Sequence, residues 1–265
     1  METIMKIYTK QDLIEALKEI KARGWIPNAR PGNVGGVGNT LEDLLGIQEN
    51  NHPIPNASEW ELKCHRANAT SLLTLFHMEP SPRALKLVPN MLLPKYGWLH
   101  QLAGVKYPPH EMSFRQTIHG LQHSDRGFKV VIDRHNQRVL VSFDANAVDP
   151  KHSEWLETVE KRAGLGELNP QPYWGFNDLY HKAGTKLLNT FYIEAEVKKE
   201  GEKEFFQYTR VMILRKFDLE RLITAIAEGN LLIDFDARTG HNHGTKFCLR
   251  QNALPLLYTE VEEIV

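Results

Sequence analysis

The chain has 265 residues, enough for one large domain or two lobes that share a core, and 42% of them are hydrophobic. Its 32 Lys and Arg against 33 Asp and Glu exclude a strongly basic protein, although a locally basic cleft fits this balance. The sequence lacks an apolar run of the ~20 residues that a membrane span needs, so we expect a cytoplasmic protein with no membrane partner. Cys64 and Cys248 form no C-x-x-C motif and are expected to be reduced.

Hydrophobic periodicity predicts the elements of the first part of the chain. Thr9 and Asp12 are spaced as a capping box that opens a helix, and Gly24 ends it. The predicted elements are a helix over 10–22, a loop rich in Gly, Pro and Asn over 27–39, a short helix over 40–45 closed by Gly46, a polar loop over 47–58, and strands over 59–65 and 71–77.

The remaining elements follow without a repeat or a flexible linker, after a Pro-rich, irregular stretch over 80–112. They are a hairpin of strands 128–133 and 138–144, a helix over 151–163, a hairpin of strands 187–197 and 205–214, a helix over 218–228, and strands over 231–235 and 245–249. Arg115, His119 and His123 share helical spacing. The two histidines, at i and i+4, are interpreted as a polar face toward DNA, as ligands of a stray metal, or as ordinary surface residues. The mixture predicts one compact α/β (α+β) unit.

A Glu-x-Lys pattern on the first predicted strand is the clearest candidate for chemistry. Alternation along a strand places Glu61 and Lys63 on one face and Leu62 toward the core. Glu42, one turn into its short helix, is positioned to point at the same spot. By itself the pattern is weak evidence for catalysis, because an exposed strand with alternating charges has the same sequence pattern.

Carboxylates beside a lysine are suited to hydrolysis of a phosphodiester. One or two Mg²⁺ ions held by carboxylates activate a water and neutralise the leaving oxygen. A lysine at the metal orients the water and offsets charge on the phosphate. The Leu62 carbonyl is a further candidate metal ligand.

The segment from Gly38 to Lys63 resembles the MvaI/BcnI restriction endonucleases and the related mismatch-repair nickase MutH, all of the PD-(D/E)xK nuclease superfamily. The helix glutamate of that group matches Glu42, its Pro matches Pro55, and its Glu-x-Lys matches Glu61 and Lys63. The later segment D-F-D-A-R-T-G-H-N-H-G-T-K-F resembles the C-terminal part of the same enzymes.

This resemblance implies a mixed central sheet flanked by helices, with two lobes around a DNA cleft. It implies one nuclease domain over 1–265, with a catalytic lobe centred on 24–80 and recognition elements centred on 205–258. The expected activity is Mg²⁺-dependent cleavage of double-stranded DNA at a G/C-rich, C-C-x-G-G-like site, with Mn²⁺ as a substitute metal. A monomer is expected, with a companion DNA methyltransferase in the host that is not a bound subunit.

Asn56 departs from the family pattern, which has a metal-binding Asp directly after the Pro. In the implied site Glu61, Leu62 and position 56 hold the metal, Lys63 handles the attacking water and Glu42 supports the metal shell. Asn keeps one carbonyl ligand but loses the negative charge that a hard cation prefers. Asn56 is either an engineered exchange that traps DNA uncut, which its isosteric nature favours, or a natural residue of a weak or inactive protein.

Candidate DNA-contacting residues lie on three segments. Guanine is best read by Arg or Lys, and cytosine by a carboxylate. The candidates are Arg30 and Asn33 in the glycine-rich loop, Arg210 on the second long hairpin, and Arg238, His241, Asn242, His243 and Lys246 around a Gly-bearing loop. The alternative for that last loop is a solvated polar turn.

Two other functions remain open on the sequence. A strand-specific nickase of the MutH kind has the same catalytic residues and needs partner proteins. A DNA-binding protein that has lost its metal site is the alternative from a different class, and Asn56 is the residue that supports it.

Overall fold

A computed structural model describes residues 8–33, 35–47, 60–67 and 70–264 of the chain. Its contacts group the chain into two compact units. Unit 1 comprises Met1–Ser71, Ala183–Asp218 and Leu254–Val265, and unit 2 comprises Leu72–Lys182 and Leu219–Ala253. That these form one nuclease domain with catalytic and recognition lobes stays a prediction.

The described residues form a mixed α/β protein, as predicted. The α-helices are α1 Lys10–Ala22, α2 Gly36–Leu45, α3 Leu93–Tyr96, α4 Ser153–Ala163, α5 Phe176–Leu187 and α6 Leu219–Ala227. The strands are β1 Ile26–Pro27, β2 Glu61–Arg66, β3 Leu72–His77, β4 Trp98–Leu99, β5 Met112–Ile118, β6 Arg126–Asp133, β7 Arg138–Val148, β8 Tyr173–Gly175, β9 Asn189–Glu200, β10 Lys203–Phe217, β11 Leu231–Arg238, β12 His241–Asn242, β13 Lys246–Arg250 and β14 Tyr258–Glu263. Short 3-10 segments span Arg83–Leu85, Pro150–His152 and Gln251–Leu257, and a π-helical turn spans Val88–Leu92.

Unit 1 is built on one sheet with the order β1-β10-β9-β2, with β14 paired to β10. The predicted long hairpin is confirmed as β9 and β10, which are antiparallel and turn at Gly201, whose φ of 61° suits a residue without a Cβ. β2 lies parallel to β9 at the end of this strand order, and its Leu62 packs in the hydrophobic core with residues of α1 and α2.

The helices of unit 1 cover the apolar face of that sheet. The predicted capping box of α1 is confirmed, with the Thr9 hydroxyl accepting from the Asp12 N–H and the Asp12 carboxylate accepting from the Thr9 N–H. Gly46 closes α2 in the left-handed conformation, as expected, but α2 begins at Gly36 rather than at residue 40. Burial of Val37 against the core outweighs the poor helix propensity of the glycines there.

Unit 2 contains two sheets. The larger has the order β3-β13-β11-β5-β4 with β12 paired to β11, and the smaller has the order β6-β7-β8. The hairpin predicted around residues 135 and 136 is confirmed as β6 and β7. Aromatic side chains fill the interior of the unit, among them Phe114, Phe128, Trp174, Phe235 and Phe247.

One expectation about residues 112–187 is wrong, and one helix there was missed. Arg115 lies on strand β5, and His119 and His123 lie in the turn after it, so the three do not share a helix face. Helix α5 was not predicted at all. Its buried Phe176, Leu179, Ala183 and Leu187 follow helical spacing, which was a usable signal.

Within the ranges that the structure describes, no helix is long and apolar enough to cross a membrane.

Candidate active site and DNA-contacting residues

Strand β2 places Glu61 and Lys63 on one face and Leu62 in the core of unit 1, as predicted. Parallel pairing with β9 sets Glu61 beside Thr190 and buries its side chain to 1% exposure. Lys63 Nζ lies 2.8 Å from Glu61 Oε1 and forms an ion pair with it. A buried carboxylate is costly unless a cation compensates it, and Lys63 is the first compensating group.

Lys186 is a second cation at the same oxygen, and sequence reasoning missed it. It lies in the last turn of α5, with Nζ 3.8 Å from Glu61 Oε1. Its side chain is more exposed than that of Lys63, at 28% against 15%. Only the tertiary fold brings this helix to β2, so no spacing rule in the sequence points to Lys186.

The other oxygen of Glu61 is the feature that bears on metal binding. Glu61 Oε2 is buried and has no hydrogen-bond partner in the described part of the chain. This state is suited to an oxygen that serves as a ligand of a cation, because buried polar atoms otherwise almost always have a hydrogen-bond partner. Among the described residues, no group of three or more His, Cys, Asp or Glu lies together to hold a metal. Asn56, the predicted second ligand, lies outside the described residues.

Glu42 lies half-buried on α2. Burial chiefly raises the pKa of the Cys64 thiol, and the negative charge of Glu42 raises it further. Cys64 packs against the core from β2. That the Glu42 carboxylate supports a metal at Glu61 stays a prediction.

A row of polar side chains extends from Glu61 along the same face of the sheet. The Thr190 and Tyr258 hydroxyls lie 2.7 Å apart, and burial together with the charge of Glu61 raises the pKa of Tyr258. His65, two residues beyond Lys63, lies 3.1 Å from the Glu194 carboxylate through Nε2. Burial is the main cause that lowers the pKa of His65.

The glycine-rich loop of unit 1 holds its two candidates by local contacts. Arg30 donates to both carboxylate oxygens of Asp43, at 3.1 and 2.7 Å, and this lowers the pKa of Asp43. The Asn33 side chain accepts from the Gly35 N–H at 2.9 Å. Arg210, on β10 of the same unit, pairs with Glu263 at 2.7 Å.

The other candidates lie together in unit 2, where β11, β12 and β13 meet. Arg238 donates to the buried carboxylate of Glu111 at 2.9 Å, and its guanidinium lies over the Tyr107 ring at 4.7 Å. Lys246 Nζ lies 3.4 Å from both Asp234 and Asp236. Each of these cations therefore already has a carboxylate partner.

The turn between β11 and β13 presents the remaining three candidates. His241 and His243 are exposed, with their ring nitrogens 3.3 Å apart. Asn242 Oδ1 accepts from the Gly244 N–H at 3.0 Å, and Thr245 N–H donates to Glu79 at 2.9 Å. These bonds fix the turn, so it is an ordered loop that carries polar side chains.

Comparison with solved structures finds the same fold over nearly the whole chain. A structure described as the restriction endonuclease MvaI–cognate DNA substrate complex matches with a TM-score of 0.75 and 26% identity, covering 97% of this chain and 100% of that one. MvaI in the absence of DNA matches with a TM-score of 0.56 and 25% identity, covering 98% and 100%. No curated protein matches the sequence.

The fold that the chain shares with MvaI defines its class as an endodeoxyribonuclease, an enzyme that cuts DNA strands at internal positions. The sequence model of the MvaI/BcnI restriction endonuclease family matches residues 14–258, and the chain belongs to that family. The resemblance drawn from Glu42, Pro55, Glu61 and Lys63 is thereby confirmed at the level of the family.

Proposed function

We propose that the chain has the active site of a type II restriction endonuclease that cuts both strands of DNA at a short G/C-rich, C-C-x-G-G-like sequence with Mg²⁺, or Mn²⁺ as a substitute. The observation that supports this most is the state of Glu61. One oxygen of this buried carboxylate is compensated by two lysines, and the other has no partner within the described residues.

The proposed metal site is formed by Glu61 Oε2, the Leu62 carbonyl and the side chain at position 56. When bound by these groups, a divalent cation would lower the pKa of a water and offset charge on the phosphate. Lys63 orients the attacking water, since its Nζ is already fixed at Glu61. Lys186 offsets negative charge that develops on the phosphate. Glu42 supports the metal ligands from α2.

Asn56 weakens this site in the present chain. An amide offers one neutral oxygen where a carboxylate offers a charged one, and Mg²⁺ binds through carboxylates and water. We propose that DNA binding is retained while cleavage is slow or absent.

Double-stranded DNA is the proposed partner, because the matched MvaI structure is a complex of that protein with its cognate DNA substrate. Arg238 and Lys246 exchange their carboxylate partners for guanine acceptors, while His241, Asn242 and His243 make adaptable base contacts. Arg30, Asn33 and Arg210 contact the backbone. The enzyme acts as a cytoplasmic monomer and a single nuclease domain, and a separate methyltransferase protects host DNA.

The test is cleavage of a plasmid with Mg²⁺ by this chain and by its Asn56→Asp variant. Discrete fragments from the variant, with slow or no cleavage by the parent, are the expected result, and the fragment ends give the recognition site. Nicked circles cut on one strand only would instead support the MutH-like nickase. Absence of cleavage by both, with DNA binding that does not depend on Mg²⁺, would support a non-catalytic DNA-binding protein.

A further inference from the structure

A cavity of about 550 Å³ in unit 2 has no place in the proposed cleavage chemistry. Its volume is within the range of about 300–1,000 Å³ typical of sites that take small ligands. It lies where β4 and β5 approach the start of β6 and the turn before α4. Its lining includes Trp98, His100, Gln116, Asp125, Arg126 and His152.

Arg126 supplies the main positive charge of this cavity. Its guanidinium lies 4.0 Å above the centre of the Trp98 ring and 5.2 Å from that of Trp155. Stacking of this kind holds the plane of the guanidinium and leaves its edge to donate. Arg126 Nε is buried and has no hydrogen-bond partner among the described residues.

On the rest of the Arg126 edge, Nη1 and the neighbouring Asp125 compete for one partner. His152 Nε2 lies 2.9 Å from Arg126 Nη1 and also 2.9 Å from Asp125 Oδ2. A ring nitrogen either accepts or donates, so it can serve only one of these neighbours. When His152 donates to Asp125, Arg126 Nη1 is left with a proton that needs an acceptor.

Two further donors belong to the same cavity. Gln116 Oε1 accepts from the Ser124 hydroxyl at 3.0 Å, while Gln116 Nε2 is buried without a partner in the described ranges. His100 Nδ1 accepts the Leu102 N–H at 3.0 Å, so the ring proton is on Nε2. The cavity therefore has an excess of N–H groups, and Asp125 is the one carboxylate among its described lining residues.

We propose that this cavity binds a phosphate group through Arg126 and Gln116. Several acceptor oxygens on one anion match several unsatisfied donors on one cation-bearing wall. The phosphate comes either from a DNA strand outside the cleavage site or from a free phosphate compound. The first source rests on the proposed function, and the second does not.

The free source is tested by ¹⁵N–¹H spectra of the Arg Nε–H groups during titration with inorganic phosphate. The Arg126 signal is identified by its absence in Arg126→Lys. A saturable shift of that signal, lost in Gln116→Glu, is expected if free phosphate binds. Gln116→Glu has nearly the same shape and keeps the acceptor for Ser124, but turns the unpartnered donor into an anionic oxygen.

The DNA source is tested with short duplexes in which one phosphate at a time is replaced by a neutral methylphosphonate. Binding is measured without Mg²⁺, so no cleavage step enters. One replacement should weaken binding about 10-fold, the size of a charged hydrogen bond. That replacement should have a smaller effect in Arg126→Lys, which keeps the charge but loses the fixed donors, and in Gln116→Glu. It should keep its full effect in Arg134→Lys, an exposed arginine paired with Glu220.

Either positive result supports a phosphate site and identifies its source. The proposal is overturned if inorganic phosphate leaves the Arg126 signal unmoved and the methylphosphonate pattern is the same in all folded variants. Loss of all DNA binding would count against the proposed nuclease function, while the inorganic phosphate titration would still decide the site.

Discussion

Charge is arranged differently at the β2 site of unit 1 and around β11 to β13 of unit 2. At β2, Glu61 is almost fully buried and keeps one oxygen without a partner among the described residues. In unit 2, Arg238 and Lys246 each lie against carboxylates that already compensate them. The first arrangement leaves a carboxylate oxygen without a partner among the described residues, whereas in the second each cation is already paired.

We propose that this difference separates the residues that cleave DNA from those that discriminate between DNA sequences. A charge that interacts with a buried carboxylate oxygen should change activity strongly when it is added or removed, because little solvent screens the interaction. A cation that is already paired should contribute less to binding but more to selectivity. The DNA gains only the difference between the interaction free energies of the cation with the base and with its carboxylate. We therefore expect changes at β2 to affect rate and changes around β11 to affect specificity.

The largest effect is expected from Glu61→Gln in the Asn56→Asp background. It removes the charged oxygen proposed to hold the metal, and cleavage should fall at least ~10³-fold with DNA binding retained. Plasmid cleavage and a gel-shift assay measure the two quantities. Glu19→Gln, on the exposed face of α1, is the matched control. Cleavage within about 10-fold of the parent, a change of only ~1.4 kcal/mol in the barrier, would remove Glu61 from the mechanism.

A smaller loss is expected from Lys186→Met in the same background. Its ammonium lies farther from Glu61 than that of Lys63, so kcat should fall roughly 10- to 100-fold, and less than in Lys63→Met. Single-turnover rates at saturating DNA measure this. Lys182→Met, one turn earlier on α5, controls for loss of helix charge. An equal loss in Lys182→Met would mean that Lys186 acts only through general attraction of DNA.

Specificity should change in Arg238→Lys with little change in rate at the best site. Lysine cannot donate two parallel hydrogen bonds to guanine, so discrimination against a single changed base pair should fall about 10-fold. The ratio of cleavage rates on the two sites measures it, and Arg134→Lys is the control. Unchanged discrimination would mean that Arg238 serves only to hold Glu111.

The smallest effect concerns stability and pH. Burial lowers the pKa of His65 in the folded protein, so the unfolded chain binds the proton more readily. The contribution of His65 to the free energy of unfolding is therefore fully present above the ordinary histidine pKa of about 6.5. As pH falls below that value, the free energy of unfolding decreases by at most ~1.4 kcal/mol per pH unit. The decrease should be shallower in His65→Gln than in His123→Gln.

Urea unfolding followed from about pH 7 to about pH 5, a window that brackets the ordinary histidine pKa, measures these slopes. Equal slopes in both variants would show that His65 is not kept neutral by its surroundings. Glu194 and Arg210 also face His65, and their opposite charges act on it in opposite directions, which leaves burial as the main cause.

Some local features of the fold were predicted from the sequence, and others were not. The opposite orientations of Glu61 and Leu62, the capping box at Thr9, and the long hairpin over β9 and β10 were all predicted, since each depends on neighbours within a few residues. The position of Arg115 on a strand was not predicted. Helical spacing of polar residues can arise by chance, and pairing with β11 decides the conformation of this segment.

The candidate site divides in the same way. The sequence by itself determined the nuclease family and the Glu-x-Lys strand, because strand alternation and a local motif need no distant partner. The tertiary structure alone decided that Lys186 also lies at Glu61, that Glu61 Oε2 remains without a described partner, and that Arg238 is held by Glu111. These contacts join elements far apart in the chain, and their distances depend on how strands and helices pack rather than on any spacing in the sequence.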